Sequence, residues 1–191
     1  MSKGRLEAFS DGVFAVLITI LVLDLKVPHQ AELSALREVL PTFLAYTLSF
    51  VFLGIYWNNH HHMLHAARKV TGRVLWANSH LLFWLSLVPF TTAWLGEHHL
   101  AQAPVAIYGV VLLGSAIAFT ILFKSLLAAE GNDSELGRAI GRDWKGKVSI
   151  ALYCLGIASS FASCALPIVC YVIVAALWFV PDTRIERRFA E

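Results

Sequence analysis

The sequence predicts an all-α, polytopic membrane protein of six transmembrane helices, and three observations carry that expectation. Of its 191 residues, 58% are hydrophobic and only 15% are charged, where a soluble domain carries about a quarter charged residues. Mean hydropathy is +0.66, and the apolar residues gather into runs that reach the roughly 20 residues a bilayer crossing needs. The basic residues, finally, are placed asymmetrically. With the N-terminus in the cytoplasm, thirteen of the fifteen Lys and Arg fall on the cytoplasmic side and only Lys26 and Arg37 fall outside. Such a bias orients membrane proteins, so both termini are expected in the cytoplasm, with an even number of spans. The net charge of +2 adds little to its placement.

Taken in order, the expected spans are 6–27, 39–65, 74–95, 105–127, 147–163 and 166–180, forming one domain over 1–191. The first begins too soon after Met1 for a cleaved signal peptide and ends before Pro28, so it is read as a retained span. The second and third are separated by the basic residues Arg68, Lys69 and Arg73. The fifth and sixth share one apolar stretch, too long for a single crossing of about 30 Å, and are expected to fold back near Ser163 to Pro167. Between the fourth and fifth lies a polar linker too short for a catalytic domain. The three cysteines sit in apolar sequence without CxxC spacing and are read as small buried residues. No internal repeat of the kind that builds many secondary transporters is present.

The first span, "RLEAFSDGVFAVLITILVLD", carries the unusual chemistry. Arg5, Phe9, Gly12, Val16, Thr19 and Leu23 follow one another in steps of four, three, four, three and four. That is the spacing of a seam kept toward a partner or an axis. Periodicity does not decide between a packing seam and a pore. Thr19 also has an ordinary reading, a hydroxyl bonded back to the carbonyl one turn earlier. Asp11 lies off the stripe, and a carboxylate within a span costs about 2.5–3.5 kcal/mol at the centre and less toward the ends. It is therefore expected to find donors on neighbouring helices or in water. Ser10 and Asp11 can be a structural lock between helices.

Arg5-x-x-x-Phe9-Ser10-Asp11-Gly12 followed by "VFAVLITILVLDL" resembles the signature of the transmembrane protein 175 family of potassium-permeable channels. "YWNNHHHMLH" in the second span and "ANSHLLFWLSLVPFTTAWLG" in the third are similar to that family's later segments. The resemblance implies a homotetramer in the cell membrane, with four first helices around a central pore. It implies a constriction at Val16, Thr19 and Leu23, and a network through Arg5, Ser10 and Asp11 that ties the pore helix to helices behind it. Phe9 and Gly12 complete the signature. Val16 stands where the family often has Ile or Leu, which leaves a slightly wider ring.

On that reading, apolar rings at Val16 and Leu23 gate by dewetting, Thr19 hydroxyls offer oxygen to a partly dehydrated cation, and Asp24 concentrates cations at the outer mouth. No TVGYG filter is present, so modest potassium-over-sodium selectivity is expected. The partners are other copies of the chain, membrane lipids and permeant K+, without nucleic acid, cofactor or enzymatic chemistry.

Two rivals remain. A proton- or ion-coupled carrier would use Asp11 and the membrane histidines. A metal-dependent protein would use His61 and His65, one helical turn apart, but there is no HExxH and no acidic ligand beside them. The run from Asn58 to His65 is read instead as polar groups bonding to neighbouring helices, Asp11 among their possible partners. His80 is read as a packing residue among apolar neighbours. Trp57, Trp76, Trp94, Trp144 and Trp178 are read as interfacial belts.

Overall fold

The computed structural model describes residues 2–98, 100–131 and 144–179. Its elements are α-helices, and the described residues include no strand. In order they are α1 (Lys3–Leu23), a 3-10 turn (Leu33–Ala35), α2 (Leu36–Ala66), α3 (Gly72–Ser86), α4 (Val88–Glu97), α5 (Gln102–Glu130), α6 (Trp144–Ser159) and α7 (Ala165–Phe179). Among the described residues four apolar stretches are long enough to cross a membrane: Lys3–Leu23, Leu33–Ala66, Gly72–Glu97 and Gln102–Glu130. The chain is a multi-pass membrane protein.

The third stretch is one apolar run in sequence but two helices in space. Pro89 has no N–H, and its ring conflicts with the carbonyl four residues back, so the helix breaks at Leu87. There the Leu87 N–H donates to the Trp84 carbonyl at 3.2 Å, a tighter turn than α-helix. Beyond the break two threonine hydroxyls bond to carbonyls at the start of α4, where the Leu87 carbonyl also accepts the Thr91 N–H at 3.1 Å. The Thr91 hydroxyl donates to the Leu87 carbonyl at 3.1 Å and the Thr92 hydroxyl to the Val88 carbonyl at 2.7 Å.

At about 1.5 Å per residue, α6 and α7 are roughly 24 and 22 Å long, short against a hydrocarbon core of about 30 Å. The chain reverses between them over 160–164. The Ser163 hydroxyl accepts the N–H groups of Ala165 and Leu166 at 3.3 and 3.4 Å, supplying partners for the first turn of α7. The basic residues Arg138, Arg142, Arg184, Arg187 and Arg188 lie outside the described residues.

Among the described residues two buried clusters hold the helices together. One joins α1, α2, α3 and α5 through Leu6, Phe14, Leu53, Leu81 and Leu122; the other joins α2, α4, α5, α6 and α7 through Phe52, Leu95, Tyr108, Tyr153 and Tyr171. Glycine sets the close approaches. A Cβ on Gly114 would stand 2.4 Å from the Trp84 ring, and one on Gly156 would stand 2.6 Å from the Tyr171 ring. The Tyr171 hydroxyl occupies the space a Cβ on Gly109 would need, and donates to the Val105 carbonyl at 3.2 Å. Of the cysteines only Cys170 is buried. Cys154 and Cys164 are exposed, which corrects the expectation that all three pack inside.

Candidate functional site on the first helix

The buried side of α1 is Leu6, Ser10, Phe14, Leu17 and Leu21, a stripe in steps of four, four, three and four that faces α2 and α3. The opposite side carries Arg5, Phe9, Gly12, Val16, Thr19 and Leu23, all exposed in the single chain. Phe9 is 57% exposed, Val16 55% and Leu23 75%. These apolar groups stand out from the subunit. Asp24 caps the C-terminal end of α1, its N–H bonded to the Val22 carbonyl.

Ser10 is the only polar member of the buried stripe, and its hydroxyl is fully engaged. It donates to the Leu6 carbonyl at 2.9 Å and accepts from the Asn78 amide nitrogen at 3.0 Å. The other end of that amide, Oδ1, meets His60 Nε2 at 2.7 Å. With the amide turned this way Asn78 Oδ1 accepts, so His60 carries its proton on Nε2. Ser10, His60 and Asn78 are each at most 1% exposed. Three helices are thus tied by a short polar chain with every member satisfied, and no described buried side-chain polar atom is left without a partner. The Phe14 ring packs on the His60 ring at 5.6 Å between centroids.

Two further bonds hold α1 to α2 along its length. Trp57 Nε1 donates to Asp11 Oδ1 at 2.9 Å, and Lys3 Nζ donates to the His65 carbonyl at 2.7 Å. The partner of Asp11 is therefore an indole, not one of the imidazoles. Trp57, expected in an interfacial belt, lies inside α2 and acts as a hydrogen-bond donor to a carboxylate. Ser10 and Asp11 are both bound to neighbouring helices. Arg5 is exposed and makes no hydrogen bond or ion pair among the described residues.

Thr19 Oγ1 donates to the Ala15 carbonyl at 2.8 Å. Spending the proton on the backbone leaves the hydroxyl oxygen with lone pairs on the exposed face, the polarity that suits a cation. Beyond the C-terminal end of α1, Lys26 Nζ lies 2.5 Å from Glu97 Oε1 at the end of α4.

His61 and His65 are exposed, with ring centroids 6.1 Å apart and nearly parallel. No group of three metal-ligating residues occurs among the described residues. His80 is exposed and accepts from Trp84 Nε1 at 3.0 Å, so it is not packed among apolar neighbours as its sequence suggests. Sequence reasoning misses that His60, alone in its histidine run, is the buried member, and that Asn78 completes the lock.

Residues 5–89 match the family described as the endosomal/lysosomal potassium channel TMEM175. A potassium channel of Chryseobacterium sp. (strain P1-3) is 53% identical over 191 residues, covering 100% of both chains. A potassium channel of Chamaesiphon minutus is 35% identical over 92% of each chain. A chicken relative, an endosomal/lysosomal proton channel TMEM175, is 30% identical over 87% of this chain but only 37% of its own length. The crystal structure of a lysosomal potassium-selective channel TMEM175 homolog from Chamaesiphon minutus superposes with a TM-score of 0.80 at 31% identity, over 93% of this chain and 96% of that one.

Fold and site together define a multi-pass helical membrane protein whose first helix is locked from behind and bare in front. The chain belongs to the TMEM175 family, a family of channels and not of enzymes.

Proposed function

We propose that the chain is a potassium-permeable cation channel of the cell membrane, passing K+ down its gradient through a homotetramer with both termini in the cytoplasm. Four copies of α1 would surround the axis, Val16 and Leu23 forming apolar rings and Thr19 a hydroxyl layer between them. One observation carries the reading. The face of α1 bearing these residues is exposed, while the opposite face is held to the subunit by the Ser10–Asn78–His60 chain and the Asp11–Trp57 bond.

The division of labour follows from that geometry. Narrow apolar rings resist wetting and so gate conduction, while a ring of hydroxyl oxygens replaces part of a cation's water. The lock is polar where it is hidden from the axis, so it positions the helix without adding charge to the constriction. Asp24 would raise the cation concentration at the outer mouth. Hydroxyls offer fewer oxygens than a stack of carbonyl cages, so discrimination between K+ and Na+ should be modest.

Purified full-length protein in liposomes under opposed K+ and Na+ gradients tests the reading. A channel gives passive K+ flux without a coupled ion and a reversal potential displaced toward that of K+. Saturating transport with fixed coupling to protons would instead establish the rival carrier. The simplest support for that rival is missing, because Asp11 is bound to the Trp57 indole rather than to a histidine.

A further inference from the structure

Charge is unevenly placed at the end of the bundle where α1 stops and α2 starts. Two cations stand there, Lys26 and Arg37, beside the carboxylates of Asp24, Glu32, Glu38 and Glu97. Position separates the two cations. Arg37 belongs to the first turn of α2. Lys26 follows three residues after Leu23, the last member of the exposed stripe of α1. It therefore lies at most about 11 Å along the chain from Leu23, and two residues beyond Asp24.

A free ammonium at that place would oppose Asp24. Exposed charges act over roughly a Debye length, about 10 Å at 0.1 M salt. On the channel reading every copy would bring one such ammonium to the mouth, and together they would repel the cations that Asp24 gathers.

The fold supplies a partner. Lys26 Nζ lies 2.5 Å from Glu97 Oε1, a contact between residues 71 positions apart in sequence. Glu97 is the last residue of α4. That helix packs against α1, and its Val88 shares a buried cluster with Leu17 and Leu21. It is thus part of the body behind α1, so the pair draws the ammonium toward that body and away from the exposed stripe. Stability does not account for the contact. The two side chains are 73% and 47% exposed, and open ion pairs of this kind add little to a fold.

We propose that Glu97 is a conductance-determining residue, which neutralises Lys26 and leaves Asp24 to set the sign of the channel mouth. This rests on the channel proposed above and adds to it a residue from outside α1. With the pair intact, Asp24, Lys26 and Glu97 together carry a charge of −1 in each copy. Glutamine at 97 alone makes the set neutral, and glutamine at both 26 and 97 restores −1. The effect repeats in every copy around the axis.

The test records K+ current entering at the C-terminal end of α1, in excised patches from cells expressing the full-length chain. Potassium chloride is raised from about 0.1 M to about 1 M, which shortens the Debye length from about 10 to about 3 Å. Glu97→Gln should lower the current roughly twofold or more at the lower salt, with the deficit fading at the higher. The double variant, Lys26→Gln with Glu97→Gln, should conduct as the wild type does at both concentrations. A contact that merely held the helices would be lost in the double variant as well, and would not answer to salt. Undiminished current through Glu97→Gln at the lower salt, or a deficit that persists at 1 M or in the double variant, would overturn the inference while leaving the channel reading intact. A wild-type chain that passes no K+ would overturn both.

Discussion

The side-chain amide of Asn78 donates to the hydroxyl of Ser10 across 3.0 Å while its oxygen accepts from His60 at 2.7 Å. One residue on α3 thus holds α1 and α2 at once. Asn78→Leu keeps the volume and removes both bonds. It leaves the His60 N–H buried without a partner, at a cost of about 1–3 kcal/mol. Thermal unfolding in detergent should register that loss, and a variant melting with the wild type would show that the chain of bonds adds nothing to stability.

Trp57 and Asp11 allow the charge to be separated from the bond. Trp57→Phe strands the carboxylate, whereas Asp11→Asn keeps an acceptor for the indole and removes the charge. Trp57→Phe should therefore be the more damaging single change. The double variant, with no stranded charge, should be less impaired than Trp57→Phe alone. In liposome recordings Asp11→Asn should alter assembly or gating and leave the reversal potential unmoved. A clean change of selectivity with normal assembly would overturn the positioning role given to Asp11.

Gly109 and Tyr171 should couple strongly. Gly109→Ala puts a methyl where the Tyr171 hydroxyl lies, an overpacking worth about 1–3 kcal/mol. Tyr171→Phe removes the hydroxyl and its bond to the Val105 carbonyl. The two changes together should cost less than the sum of the two alone, as melting of the four proteins in a double-mutant cycle would reveal. Strict additivity would mean that the helices move apart instead of repacking around that contact.

The division of α1 into two faces is legible in the residue spacing alone, because helical periodicity is local and a seam four and three residues apart falls on one side. Which outside surface that seam meets is not legible, since a packing seam and a pore face share one period. The lock cannot be read either. Its members stand at 10, 60 and 78, and nothing in the run from Asn58 to His65 says which histidine points inward until the rotation of α2 about its axis is known. His61 and His65 stand out in the sequence for their turn-apart spacing, but the core contacts of Leu53, Met63 and Leu64 set the phase that buries His60. The break at Leu87 is legible in principle from Pro89, but the surrounding apolar run hides it.

If Val16 and Leu23 form the constriction, shortening either to alanine removes apolar bulk from a ring repeated in every copy. Val16→Ala and Leu23→Ala should raise single-channel conductance or admit larger cations. Thr19→Val, which keeps shape and removes the oxygen, should reduce the preference for K+ over Na+. Unchanged currents in all three would count against this face.

The most direct test asks which side of α1 the conducting path touches. Single cysteines at 16, 19 and 23, and at the buried positions 14, 17 and 21, would be placed in a chain lacking native cysteines. Each variant would be exposed during K+ flux to a small charged thiol reagent. The account predicts block at Val16→Cys, Thr19→Cys and Leu23→Cys, with conduction persisting at Phe14→Cys, Leu17→Cys and Leu21→Cys. Block confined to the second set, or undiminished flux through a fully labelled first set, would contradict it.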